Sequence, residues 1–266
     1  MALSPAVMGI VNVTPDSFFP ASRTLAADEA IARGRDHFSL GADIVDVGGE
    51  STRPHAEPVD EDEELSRVIP VVLGLAPLGP VSIDTQKESV ARAAVAAGAS
   101  VLNDVSASLW AVAGELGVGY VAMHRQGDAR TMQDHPTYAD VVGEISDFLA
   151  RVAEEARRAG VGQLWLDPGI GFGKTVEHNV TLLGHCDHFI ELAANYNAGV
   201  VIGTSRKSFL GHLGRDTSSV DERLEASLAT EAWAMVQGVS MVRVHDVRET
   251  VQLRDLLTLT PESVAP

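Results

Sequence analysis

Leu166-Asp-Pro-Gly-Ile-Gly-Phe-Gly-Lys-Thr175 places a carboxylate at the end of an apolar run and follows it with alternating glycines. A strand that delivers an acid into a loop too bare of side chains to fill its own space marks a ligand site. The spacing is not GxxxxGK[ST], so a P-loop is excluded. The same design, a short strand ending in a carboxylate, amide or base, recurs along the whole chain. Strands are expected at Val7–Val11, Ile44–Val47, Val81–Asp84, Ser100–Asp104, Tyr120–His124, Gln163–Asp167, Val200–Thr204 and Met241–His245. Between them, apolar residues recur at helical spacing: Val90, Ala93, Ala94 and Ala97; Val141, Val142, Ile145, Phe148, Leu149 and Val152; Leu228, Ala229, Ala232 and Trp233.

Gly41, Gly98, Gly117, Gly160, Gly199 and Gly238 each precede the next apolar run and are expected in the left-handed position that closes a helix. Eight βα units in 266 residues predict a single α/β domain, a closed (β/α)8 or TIM barrel over residues 1–266, with a ragged tail from about residue 259. An open doubly wound sheet is the alternative. It is disfavoured because no GxGxxG follows the first strand and polar residues end nearly every strand.

The formal net charge of -17 disfavours nucleic acid and anionic membrane surfaces. No apolar run approaches the ~18 residues that span a bilayer, and no basic leader precedes the first apolar residues. One cysteine, Cys186, excludes an internal disulfide framework, is expected to be inert and buried, and fits a reducing, cytoplasmic setting.

In a parallel barrel all C-terminal strand ends meet at one mouth. Asp84, Asn103, Asp167 and Lys207 would supply acceptors, an amide and a donor able to read the edge of a flat nitrogen heterocycle. Asn12, Thr52, Arg53, Arg243 and His245 form a donor-rich set suited to phosphate or diphosphate with Mg²⁺. Taken singly, Asp84 would serve as an N-cap, His245 as a satisfied buried imidazole and Arg243 as a surface ion-pair partner. Eight such strand ends together are poorly explained that way. GxSxG, HExxH and cysteine pairs are absent, which removes nucleophile-elbow and zinc-hydrolytic chemistry.

The blocks MGIVNVTPDSF (8–18), DVGGESTRP (46–54), SIDT (82–85), NDVS (103–106), Met123-His124, DPGIGFGK (167–174), SRKSFLG (205–211) and RVHDV (243–247) resemble, in order, those of the dihydropteroate synthases. The resemblance implies condensation of (7,8-dihydropterin-6-yl)methyl diphosphate with 4-aminobenzoate. Diphosphate would leave first and a pterin carbocation would be captured by the amine. It implies pterin contacts from Asp84, Asn103, Met123, Asp167, Phe172 and Lys207, with Arg243 stacking over the ring. Asn12 would ligate Mg²⁺, while Thr52, Arg243 and His245 would hold the diphosphate. Arg53, Pro54, Phe172, Lys207 and Ser208 would form the 4-aminobenzoate site. Asp84, Lys207, Arg243 and His245 would carry the catalysis.

A homodimer is also implied. Leu224, Leu228, Trp233 and Val236 are candidates for its face, although packing against the barrel is expected to explain most of them.

One departure stands out. The family pattern carries an aspartate two residues after the Phe of TPDSF, usually followed by two glycines, in a loop that closes over the reacting ring. Here the chain reads Phe18-Phe19-Pro20-Ala21-Ser22, which predicts a stiffer loop and altered competition by sulfonamides. This loop makes a non-catalytic pterin-binding paralogue one alternative. A methyltetrahydrofolate-binding methyltransferase-like barrel is the other, but it needs neither the SRKSFLG nor the RVHDV block.

Overall fold

The computed structural model describes residues 4–13, 20–51, 58–128, 130–213, 219 and 222–259. Its elements run β1 (Ala6–Asn12), α1 (Pro20–Ser39), β2 (Ile44–Gly48), α2 (Glu61–Leu75), β3 (Val81–Asp84), α3 (Glu88–Ala96), β4 (Val101–Asp104) and α4 (Trp110–Leu116). They continue with β5 (Gly119–Met123), α5 (Val141–Arg158), β6 (Leu164–Asp167), α6 (Val176–Gly184), α7 (Cys186–Ala194), β7 (Gly199–Ile202), a 3-10 turn (Ser208–His212), α8 (Leu224–Gln237), β8 (Met241–Val244) and α9 (Val247–Leu257). The strands form a closed barrel in chain order, and β8 pairs in parallel with β1 through Ala6↔Met241. All eight expected strands are present. The tail beyond residue 259 and the segment 14–19, with Phe18 and Phe19, lie outside the described residues. Pro20 opens α1, a position where proline's missing N–H leaves no helical bond unmade.

Side-chain alternation divides the core in two. Val45, Val47, Val81, Ile83, Tyr120, Leu166, Val200 and Val242 join the helices in the outer cluster. Met8, Ile44, Val101, Val121, Val201 and Met241 fill the interior, with Trp165 against them. The interior is therefore sealed by an apolar plug beneath the strand ends. Asp104 faces the other way: its carboxylate accepts from Tyr120 Oη (2.8 Å) and from the Ser108 and Leu109 N–H groups (both 2.7 Å), which anchors the turn after β4.

Two expectations fail. Gly41, Gly98, Gly117, Gly160 and Gly238 have φ of 98°, 113°, 67°, 86° and 99°, but Gly199 is the first residue of β7 and Asn197 takes the left-handed place at φ 49°. Asparagine tolerates that conformation. Gly199 is needed instead for room, since a β-carbon there would stand 2.6 Å from Ser240 Oγ and 2.7 Å from Trp165 Cδ1. The second concerns α8. Its buried face is Ser227, Glu231, Ala234 and Met235, while Trp233 and Val236 are 58% and 72% exposed. Packing against the barrel thus does not account for them. Cys186 is buried, and burial pushes its thiol up to about 12, so it is inert as expected.

The inward place on α8 is polar because Glu231 accepts from Thr250 Oγ1 of α9 at 2.8 Å, leaving its other oxygen buried without a partner among the described residues. Burial raises this carboxyl to about 7, with the Thr250 hydrogen bond opposing. The folded state therefore holds a proton that the unfolded chain releases first, and stability falls as pH climbs from the ordinary glutamate range toward 7. Glu231→Gln should remove that loss. Urea unfolding should show it level with wild type near about pH 4.5 and more stable by about 2–3 kcal/mol near about pH 8.

Candidate active site

The floor of the mouth is an ion-pair cluster. Arg243 of β8 reaches across the barrel, donating from Nε to Asp46 Oδ2 of β2 and from Nη2 to Asp84 Oδ2 of β3, each at 2.7 Å. Asn103 Nδ2 of β4 donates to the same Asp46 oxygen at 3.0 Å, leaving Oδ1 as that amide's acceptor for a ligand. Asp46 is fully buried and Asp84 is 7% exposed. Burial pushes Asp84 up to about 7, Arg243 opposes it, and Asp46 adds a like charge. Burial also works against the charged guanidinium, but Asp46 and Asp84 outweigh it and raise Arg243. Asp84 Oδ1 and Asp46 Oδ1 are buried without a partner among the described residues, and such groups need a hydrogen-bond donor. Asp84 is therefore no N-cap, and Arg243 is no surface pair.

Asp46 is the residue that strand-end reasoning missed. It sits one pleat deeper than the ends, but alternation reveals it: Val45 and Val47 belong to the outer cluster, so Asp46 must face inward.

Across the floor, Asp167 Oδ1 accepts from Gly169 N at 2.7 Å, and burial raises its carboxyl against the pull of Lys207. Lys207 donates to the Ile170 carbonyl and lies 4.5 Å from the centre of the Phe172 ring. Burial brings its ammonium down to about 8, with Asp167 opposing. Met123, buried, pairs in register with Asp167. Lys207 follows Arg206, a non-glycine at φ 59° whose guanidinium is paired with Asp246 (Nε to Oδ2, 3.0 Å). His245 is half-buried, with its N–H and Nδ1 3.1 and 3.2 Å from Ser205 Oγ.

Above this floor opens a cavity of about 430 Å³ lined by Asn12, Asp84, Phe172, Lys207, Ser208, Arg243 and His245, joined by Ile10, Glu50, Ser51, Met132 and Arg206 among others. Asn103, Met123 and Asp167 are buried and do not line it. Asn12 is exposed at the end of β1. Its Oδ1 and Asp84 Oδ2 both stand 3.8 Å from the point where a β-carbon on Gly48 would be, so amide and carboxylate face one gap. Thr52, Arg53 and Pro54 lie outside the described residues. The site thus has an acidic, donor-hungry floor and a rim of donors and cations, a division suited to a nitrogen heterocycle below and an anion above.

Comparison with known proteins agrees with this geometry. The family model described as "Pterin binding enzyme" matches residues 8–245. The chain is similar to the dihydropteroate synthase of Escherichia coli strain K12, 40% identical over 264 residues, covering 96% of this chain and 92% of that protein. It is 44% identical to that of Mycobacterium leprae over 266 residues, covering 94% and 92%. The structure of Xanthomonas albilineans dihydropteroate synthase with 4-aminobenzoic acid superposes with a TM-score of 0.87 at 40% identity, covering 100% of this chain and 95% of that one. The family match over residues 8–245 and these likenesses lead to one conclusion: the chain belongs to the pterin-binding enzyme family and, within it, to the dihydropteroate synthases.

Proposed function

We propose that the protein condenses (7,8-dihydropterin-6-yl)methyl diphosphate with 4-aminobenzoate, releasing diphosphate and 7,8-dihydropteroate. The observation that carries this is the buried Asp84 Oδ1, without a partner among the described residues and on the wall of the cavity, an acceptor that the N–H edge of a pterin would satisfy. Asn103 Oδ1, Asp167 and Lys207 complete the set that reads the ring.

Mg²⁺ suits the donor set only as an ion carried by the diphosphate. Among the described residues no group of three or more His, Cys, Asp or Glu side chains could cage it, whereas Mg²⁺ ordinarily keeps waters and phosphate oxygens beside one or two protein ligands. Asn12 would be such a ligand. Bound there, the ion would neutralise charge on the leaving group.

The residues then divide the work. Arg243 and His245 favour departure of the anion, as the C–O bond breaks and its electron pair leaves with diphosphate. Asp84, ionised, stabilises the positive charge left on the conjugated ring system, and Arg243 holds its geometry. Lys207, Ser208 and Phe172 orient 4-aminobenzoate, whose amine nitrogen forms the new C–N bond and then loses a proton. Thr52, Arg53 and Pro54 join this scheme on the family resemblance.

The same reading gives a cytoplasmic homodimer. A single buried thiol is in keeping with a reducing compartment. The dimer face is supported by Trp233 and Val236 of α8 and Val180 of α6, which are exposed apolar side chains on neighbouring helices, with Trp233 Nε1 bonded to the Leu183 carbonyl at 3.1 Å.

Incubation with the pterin diphosphate, Mg²⁺ and 4-aminobenzoate should release diphosphate only when 4-aminobenzoate is present; release without it, or none, defeats the proposal. Asp84→Asn should cut kcat by about 100-fold while pterin affinity changes by less than about tenfold, and equal losses would reduce Asp84 to a positioning role. Combined Trp233→Glu and Val236→Glu substitutions should convert a dimer to a monomer in light scattering.

A further inference from the structure

Lys174 takes no part in the scheme above, yet it is only 3% exposed at the end of the glycine turn after β6. Its Nζ has three polar partners: the Phe172 carbonyl at 3.0 Å, His124 Nδ1 at 3.1 Å and the His124 carbonyl at 3.4 Å. An ammonium carries three N–H donors, enough for all three contacts when His124 Nδ1 is the unprotonated ring nitrogen. Burial drives the His124 ring down to about 3 and leaves it neutral, so it adds no like charge beside Lys174. Burial also draws Lys174 down to about 7, Asp167 at the end of β6 opposes that, and Lys207 from the loop after β7 reinforces it. A buried ammonium is costly unless such partners surround it.

The turn that Lys174 closes cannot stiffen itself. Gly169, Gly171 and Gly173 have φ of 71°, 84° and 64°, where glycine is permissive. Their bareness lets the turn lie flush on the end of β5, since a β-carbon on Gly169 or Gly173 would collide with the backbone carbonyl of His124 or Gln126. Two side chains from the segment between β5 and α5 also hold it: Gln133 Nε2 donates to the Gly171 carbonyl at 2.6 Å and Tyr138 Oη to the Gly173 carbonyl at 2.9 Å. Both are neutral contacts, whereas Lys174 supplies charged donors to the carbonyl of Phe172, whose ring lines the cavity beside Lys207.

We propose that Lys174 is a positioning residue: its ammonium pins the glycine turn to the end of β5 and thereby sets the Phe172 ring as a wall of the 4-aminobenzoate pocket. The identity of the substrate rests on the synthase reading, but the pinning does not.

The test is Lys174→Met, with steady-state kinetics and amide hydrogen exchange at Phe172, whose N–H bonds the Gly169 carbonyl at 3.1 Å. The expected result is a rise of about tenfold in KM for 4-aminobenzoate, kcat within about threefold, and a fall of about tenfold in the Phe172 protection factor. Unchanged protection overturns the proposal, as does a fall in kcat at unchanged KM, which would assign Lys174 to the chemistry. Should the methionine variant fail to fold, His124→Leu withdraws the Nδ1 contact and is expected to show the same pair of changes at about threefold; its absence overturns the proposal equally. If the native protein shows no synthase activity, the protection factor alone decides the pinning.

Discussion

The bridge that Arg243 makes between Asp46 and Asp84 is the interaction on which the rest of the mouth depends. Two buried carboxylates on adjacent strands repel, and a low-dielectric interior magnifies that repulsion. A guanidinium carries donors along two edges and can meet both acids at once, which an ammonium, a point donor, does less well. Because Arg243 comes from β8 and the acids from β2 and β3, the bridge also ties the last strand to the early ones across the barrel. Among the described residues each acid keeps one oxygen without a partner, so the cluster is held in place but not saturated.

Much of this was legible in the chain. Strand ends carry the chemistry of a parallel barrel, and β-branched runs interrupted by glycine locate those ends to within a residue or two. Asp84, Asn103, Asp167, Lys207, Arg243 and His245 do converge on one mouth. The less legible residues were hidden for separate physical reasons. Asp46 lies within a strand that reads as apolar, and only its inward pleat gives it away. Lys174 reads as an ordinary solvated lysine, because nothing in the sequence shows that His124, just past β5, and the Phe172 carbonyl will close around it. The outward turn of Trp233 was masked by Glu231, a charged residue in the place where helical periodicity asks for an apolar one. Gly199 reads as a helix terminator because space for Trp165 and freedom in φ select the same amino acid.

The glycine turn joins these two themes. Its residues leave room for a flat ring and for close contact with β5, and the order that glycine forfeits is restored by side chains from Lys174, Gln133 and Tyr138. Conformational freedom and rigidity are thus supplied by different residues of one short segment.

The apolar plug of Met8, Ile44, Val101, Val121, Val201 and Met241 has a further consequence for this arrangement. It places apolar side chains beneath the Arg243 bridge, so among the described residues the cavity above is where solvent meets those charges. Whatever seats itself there acts as a stopper as well as a reactant: it displaces that solvent and stiffens the field that Asp46, Asp84 and Arg243 project onto it. The mouth is therefore an electrostatic chamber whose strength is set by its own occupant.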